Sequence, residues 1–277
     1  MLLPGDYHTH SYHCNHAIGN LEEYIQEAIK LGLPEIGLSD HFPMYLLPEK
    51  FHKYTMNKDL LSSYLQETTK VKRRFQSHIA VKRALEVDYY TPVFPQYKKA
   101  IQPLLPDLDY IIGSIHGVAW KDSVIPIDGT FSLPDSFDTS EIDSLFLKYY
   151  EELNKLVKTG FYDILGHFDV IRKLNLNIRN HSRIWESILN VLDALESSSM
   201  VVEINTSGLR KQDELYPQPD IIQELINRRI PLVLGSDAHR PADVGYAFEE
   251  TLAFLRKKGL NRLYKISNHQ KEYFPLN

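Results

Sequence analysis

Residues 231–239 read Pro-Leu-Val-Leu-Gly-Ser-Asp-Ala-His, an apolar run that stops on Asp237 and His239. Near the start of the chain, residues 6–10, Asp-Tyr-His-Thr-His, stop on His8 and His10 with the same two-residue spacing. Side chains two apart on a strand share a face, so each pair points one way from its strand end. Four more runs end in the same currency of acids and imidazoles: Ser39-Asp40-His41, Leu85-Glu86-Val87-Asp88, Gly113-Ser114-Ile115-His116 and Gly166-His167-Phe168-Asp169. Packing does not account for so many polar groups at run ends. Neutral imidazole plus carboxylate is the donor set that zinc, iron and manganese prefer.

Working outward, strand-like runs fall at 6–8, 35–39, 79–87, 110–114, 163–166, 200–205 and 231–236, which makes seven. Helical periodicity lies between them. In the first helix Asn20 caps, Glu23 completes a capping box, Leu21, Tyr24, Ile25, Ala28 and Ile29 form one apolar face, and Gly32 ends it. Further helices are marked by Leu60, Leu61, Tyr64, Leu65 and Thr68, then by Ile142 to Val157 with a stop at Gly160. Ser182 opens another, Pro219 suits a first helical position, and Val244, Phe248 and Leu252 belong to the last. Alternating strands and helices predict an α/β fold with a parallel sheet, closed or nearly closed into a barrel. A doubly wound open sheet is the alternative. It fits less well, because no glycine-rich phosphate loop follows the first strand and the ligands come from nearly every strand. In a barrel the first and last strands are neighbours, so His8-x-His10 would face Asp237-x-His239, and strand C-terminal ends are where barrels carry their chemistry. Residues 117–140 form a long, turn-rich stretch of the kind that makes lids or substrate walls. No linker or repeat divides the chain, so 1–277 reads as a single domain.

With 43% apolar and 24% charged residues the chain supports a sizeable core. A formal charge of −5 argues against a broad nucleic-acid or anionic-membrane surface. The lone Cys14 excludes an intrachain disulfide and fits a reducing compartment. With no signal-like N-terminus and no membrane-length apolar run, a cytoplasmic location is expected, as a monomer or homodimer.

Glu86 ends an apolar run, and burying its carboxylate is costly unless a cation compensates. A carboxylate can bridge two ions, which suggests a multinuclear site. A barrel amidohydrolase also opens with HxH and closes with a late aspartate, but it often bridges its metals with a lysine, and no lysine ends a run here.

The ordered motifs DYHTHS with Cys14 and His16 following, then SDH, LEVD, GSIH, GHFD and SDAH, span residues 6–239. They resemble the polymerase-and-histidinol-phosphatase (PHP) phosphoesterases. The opening H-x-H-S-x-x-C-x-H is similar to the monofunctional histidinol-phosphate phosphatase branch, which often carries Phe where this chain has His13. The resemblance implies a distorted (β/α)₇ barrel and three divalent transition-metal ions, Zn, Fe or Mn. His8, His10, Glu86 and Asp237 would hold the first. Glu86, His116 and His167 would hold the second, with Glu86 bridging, and His16, His41 and His239 the third. His13 is then a neighbour of the site, Cys14 a packed residue, and His52, His78, His181 and His269 solvated.

Three divalent ions offset by Glu86 and Asp237 leave a local charge of roughly +4, which suits a phosphate dianion on an acidic chain. The expected nucleophile is a metal-bridging hydroxide attacking phosphorus in line, with Glu86, Asp237 and His239 as the catalytic set around it. Arg172 and Arg210 are the expected phosphate contacts, with Arg240 a third candidate. The resemblance implies L-histidinol phosphate as substrate, hydrolysed to L-histidinol and phosphate in histidine biosynthesis. Another small phosphate ester or nucleotide is the alternative, and a metal-binding protein without catalysis is the contrasting class. For the amine and imidazole of histidinol, Phe42, Tyr89 and Asp128 are candidate walls.

Overall fold

The structure is a computed structural model that describes residues 3–127, 137–174, 182–211 and 213–276. Its strands are β1 (Glu35–Leu38), β2 (Ala80–Asp88), β3 (Tyr110–Ser114), β4 (Gly117–Trp120), β5 (Ser123–Pro126), β6 (Ile164–Leu165), β7 (Val201–Asn205), β8 (Leu232–Gly235), β9 (Arg262–Ser267) and β10 (Gln270–Pro275). The helices are α1 (Leu21–Lys30), α2 (Leu61–Phe75), α3 (Phe94–Ile101), α4 (Thr139–Lys158), α5 (Ser182–Glu196), α6 (Ser207–Lys211), α7 (Pro219–Asn227) and α8 (Phe248–Lys257). Six strands form one parallel sheet in the order β1-β2-β3-β6-β7-β8.

The seventh stave is the segment at 6–10. It makes parallel bridges to both edges of the sheet, Asp6 with Ile36 of β1 and Thr9 with Ala238 just past β8. The backbone N–H of Tyr7 donates to Leu234 O, and that of Gly37 to Asp6 O. The ring is thereby joined into the (β/α)₇ barrel. The segment bridges without forming a continuous strand, unlike the expected run at 6–8. The Asp6 carboxylate accepts from the backbone N–H of His8, Ser236 and Gly245, and such side-chain bonds compete with a regular ladder.

The strand period of two sorts the core. Outward residues such as Leu85, Ile111, Val202, Ile204, Leu232 and Leu234 pack with the helices in the main cluster. Inside the ring, Tyr7, Ala84, Tyr110, Ile112, Ile164, Val201 and Val233 fill the lower half. One step up the inward rows, polar groups replace them: Glu86 stands above Ala84 and Glu203 above Val201.

The capping box of Asn20 and Glu23 is present, Gly32 takes φ +69° after α1, and Gly160 takes φ +59° after α4. Leu60 and Val244 lie outside α2 and α8, in short 3₁₀ turns or at their ends. The long stretch at 117–140 begins with the antiparallel hairpin β4–β5, and its residues 128–136, including Asp128, lie outside the described residues, as does His181. The C-terminal hairpin β9–β10 puts Ile266 against the inner core. It also corrects the expectation of a solvated His269, whose ring nitrogens lie 2.9 Å from Asp163 Oδ2 and 2.9 Å from Leu105 O. Among the described residues no helix is long and apolar enough to cross a membrane.

Replacing Asp6 with Ala would leave three backbone donors without their acceptor at the seam. A loss of about 2–4 kcal/mol in unfolding free energy is expected, read from the denaturant midpoint at unchanged m-value.

Candidate metal centre

Glu86 is the middle of the site. It sits near the end of β2, where His41 pairs with it as a parallel bridge beyond β1. Its side chain is 1% exposed. Oε2 lies 2.9 Å from His41 Nδ1, 3.3 Å from His8 Nε2 and 3.4 Å from His10 Nε2. Oε1 lies 3.0 Å from His167 Nε2 and 3.7 Å from His116 Nε2. Each oxygen therefore faces a different group of imidazoles. Asp237 Oδ1 is 3.3 Å from His10 Nε2, and His239 Nε2 is 2.8 Å from His16 Nε2. All nine residues singled out as ligands come together at the C-terminal ends of the strands.

Several of these groups are buried donors or acceptors with no hydrogen-bond partner: His8 Nε2, both ring nitrogens of His10, His41 Nδ1 and Glu86 Oε2. Such atoms are costly unless something satisfies them. Triads with ligand atoms within 4.8 Å of one another include His8, Glu86 and His167; His8, His10 and Asp237; His10, His41 and Glu86; and His16, His41 and His239. The donor set is one that divalent cations fit.

Electrostatics agree. Although burial opposes it, the imidazoles of His41, His8, His116 and His167 hold the Glu86 carboxyl well below the usual carboxylate range. Burial and the imidazoles of His41 and His239 push His16 down to about 3, and burial, opposed in part by Asp237, takes His239 to about 4. Burial together with His41 and His239 also holds His10 well below the usual histidine value. These three rings are neutral near pH 7 and keep a lone pair to give. Burial works against His116 too, but Asp88 and Glu86 raise it to about 9.

Two further acids stand behind the candidate ligands. Glu203 Oε1 is 2.7 Å from His8 Nδ1, and its Oε2 accepts from the backbone N–H of His167 at 2.8 Å. It thereby fixes two ligands from different staves. A Cβ on Gly235 would collide with this carboxylate, which accounts for a glycine at the end of β8. Asp88 stands 3.1 Å from His116 Nδ1. Carboxylates in this position orient imidazoles and raise their basicity as ligands. No sequence motif marks Glu203 as part of the site. Its signal is that of Glu86, an acid inside the apolar run Val201-Val202-Glu203-Ile204.

The cavity above the centre has a volume of about 620 Å³ and is lined in part by Lys173, Ser207, Arg210, Arg240 and Asp243. Arg210 matches its expected position. Nη2 donates to Asp237 O at 2.9 Å, the guanidinium lies over the Tyr246 ring, and the buried Nη1 has no hydrogen-bond partner. Arg172 does not. It is 4% exposed and does not line the cavity. Its Nη1 meets Glu214 at 2.6 Å, Nε lies 2.7 Å from Asp169, and Nη2 donates to Leu215 O at 2.8 Å. The expected clamp is an internal pin, and Lys173 is the cation that this loop turns to the cavity. Phe42 and Tyr89 are corrections as well, since both are buried in the main core and neither lines the cavity. His13 meets Glu67 at 3.3 Å, away from the ligands. Cys14 falls within reach of His10 and His239, but burial pushes its thiol up and Sγ–H donates to Ser11 O at 3.1 Å, so it packs as a thiol.

The sequence profile of the PHP domain matches residues 6–207. A probable histidinol-phosphatase of Deinococcus radiodurans is 31% identical over 264 residues, covering 92% of this chain and 93% of that protein. The histidinol-phosphatase of Bacillus subtilis is 30% identical over 272 residues, covering 91% and 98%. The crystal structure of histidinol phosphate phosphatase from Lactococcus lactis, in complex with zinc, L-histidinol and phosphate, shares the fold with a TM-score of 0.80 at 21% identity, over 97% of this chain and 98% of that one.

Arg172→Ala would strand the buried Asp169 carboxylate. Unfolding free energy is expected to fall by about 3–5 kcal/mol, as for other buried pairs that lose one partner, with denaturant unfolding as the check.

Proposed function

The chain belongs to the PHP domain family, and from that premise we propose that it is a metal-dependent phosphomonoesterase that hydrolyses L-histidinol phosphate to L-histidinol and phosphate. The observation that carries the metal part is Glu86, a buried carboxylate whose two oxygens face two separate groups of imidazoles. The substrate follows from the relatives in Deinococcus radiodurans and Bacillus subtilis, which match this chain over nine-tenths of its length.

In this proposal three divalent ions, Zn, Fe or Mn, are held by His8, His10, His16, His41, Glu86, His116, His167, Asp237 and His239. Such ions lower the pKa of a coordinated water to around 7 and take up charge on phosphate oxygens. Glu86 would supply negative charge to ions on both of its sides, and Asp237 and His239 would complete the set next to the reacting group. With metal bound, Glu203 and Asp88 would accept the Nδ1–H of His8 and His116 and leave each Nε2 to face the ions. The Arg210 guanidinium, on the cavity wall, donates to a phosphate oxygen while its Nη2 stays on Asp237 O. Because that second bond and the Tyr246 ring fix the guanidinium, little side-chain entropy is lost when phosphate arrives.

Metal analysis of gently purified protein should find more than one transition ion per chain, and Glu86→Gln should lose both ions and turnover. Arg210→Ala should keep the ions and lower kcat/KM by a factor equivalent to about 2–4 kcal/mol. Comparing kcat/KM across L-histidinol phosphate, sugar phosphates and nucleotides tests the substrate. A preference for histidinol phosphate of at least about tenfold is expected, and a smaller one would leave a phosphoesterase of another small ester.

A further inference from the structure

The cavity lining holds a feature that phosphate chemistry does not use. Among the described residues lining it, the carboxylates are Asp237 and Asp243. Asp237 is turned to His8 and His10. Asp243 is not. It follows β8 on a short 3₁₀ turn, its side chain is 13% exposed, and its partner is Arg240, at 3.2 Å and 3.4 Å. Arg240 is itself 61% exposed, so the pair is open to water and weak. A carboxylate in a cavity built for an anion works against that anion unless the ligand also brings a positive charge. One wall of the lining is formed by Met44, Phe51 and Tyr54, from the segment after β1, while Ile18, Lys173 and Ser207 line it elsewhere. Tyr54 stands edge-on to His16 with ring centres 5.6 Å apart, and the missing side chain of Gly117 lets the Phe51 ring close against the β4–β5 hairpin.

We propose that Asp243 accepts the ammonium group of the bound phosphate ester while Met44, Phe51 and Tyr54 pack its ring, so that these residues select the leaving group. The inference rests on L-histidinol phosphate being the substrate, since that molecule carries a primary ammonium and a planar ring beside the phosphate. The ammonium replaces the Arg240 guanidinium on Asp243, exchanging an exposed partner for one held inside the cavity. Phosphate binding and leaving-group selection are thereby divided between different residues, Arg210 and the metal ligands for the first and Asp243 with the apolar wall for the second.

The test compares kcat/KM of the metal-loaded protein on L-histidinol phosphate and on its deaminated analogue, 3-(imidazol-4-yl)propyl phosphate. The wild type is expected to favour the amine-bearing ester by at least about tenfold, and Asp243→Asn to reduce that ratio to within about threefold of unity. Asp243→Glu, which keeps the charge, should restore part of the preference. Arg240→Gln removes the competing cation from an exposed position and should raise the ratio, a readout that does not depend on the Asn variant folding. An unchanged ratio in Asp243→Asn, or a lowered one in Arg240→Gln, overturns the inference. If the wild type prefers histidinol phosphate to sugar phosphates and nucleotides yet ignores the amine, this inference fails and the proposed function stands. If histidinol phosphate is not preferred to those esters at all, the substrate assignment fails first.

Discussion

A carboxylate at the end of β2, almost wholly removed from water, sets the terms for the rest of the molecule. Glu86 cannot be solvated where it lies, and an uncompensated buried charge costs several kcal/mol. Compensation must therefore come to it, and five imidazoles from four other staves and their extensions converge on its two oxygens. The barrel is the device that makes this possible. Parallel strands bring their C-terminal ends to one face, and the two-residue period then aims every inward polar side chain at the same point.

That arrangement also explains the supporting cast. Imidazoles crowded together repel when protonated, and burial favours the neutral form, so His10, His16 and His239 are pushed well below the usual histidine value. The two that face a second carboxylate, His8 with Glu203 and His116 with Asp88, are held high instead. The neutral rings keep lone pairs to give, and Glu203 and Asp88 hold the His8 and His116 rings in orientation before any ligand arrives, which is preorganisation in the physical sense. The seam of the barrel serves the same end. Asp6 ties the first stave to the last, and those two staves carry His8, His10, Asp237 and His239.

The barrel and the convergence of the nine histidines and acids were legible in the sequence because both obey short-range rules. Strand ends announce themselves where β-branched runs meet imidazole or acid, and six such ends among seven runs in order leave few topologies. The capping box at Asn20 and the glycine stops follow from backbone chemistry alone. Contacts between distant residues were not legible. Arg172 and Arg210 look alike in sequence, each following one of two successive strands, and only the fold places Asp169 and Glu214 around the first. Glu203 carried a readable signal but no motif. Phe42 and Tyr89 were plausible walls by position, yet they face the core, while Met44, Phe51 and Tyr54 depend on how an irregular segment after β1 folds over the cavity.

We propose that the two oxygens of Glu86 serve separate divalent ions. Crystals of the protein as purified, measured at the absorption edges of zinc, iron and manganese, test it directly through anomalous difference maps. The account predicts at least two peaks, one beside each oxygen of Glu86, with a further one between His16 and His239. A single ion, or ions held elsewhere while Glu86 stays bonded only to protonated histidines, would contradict it.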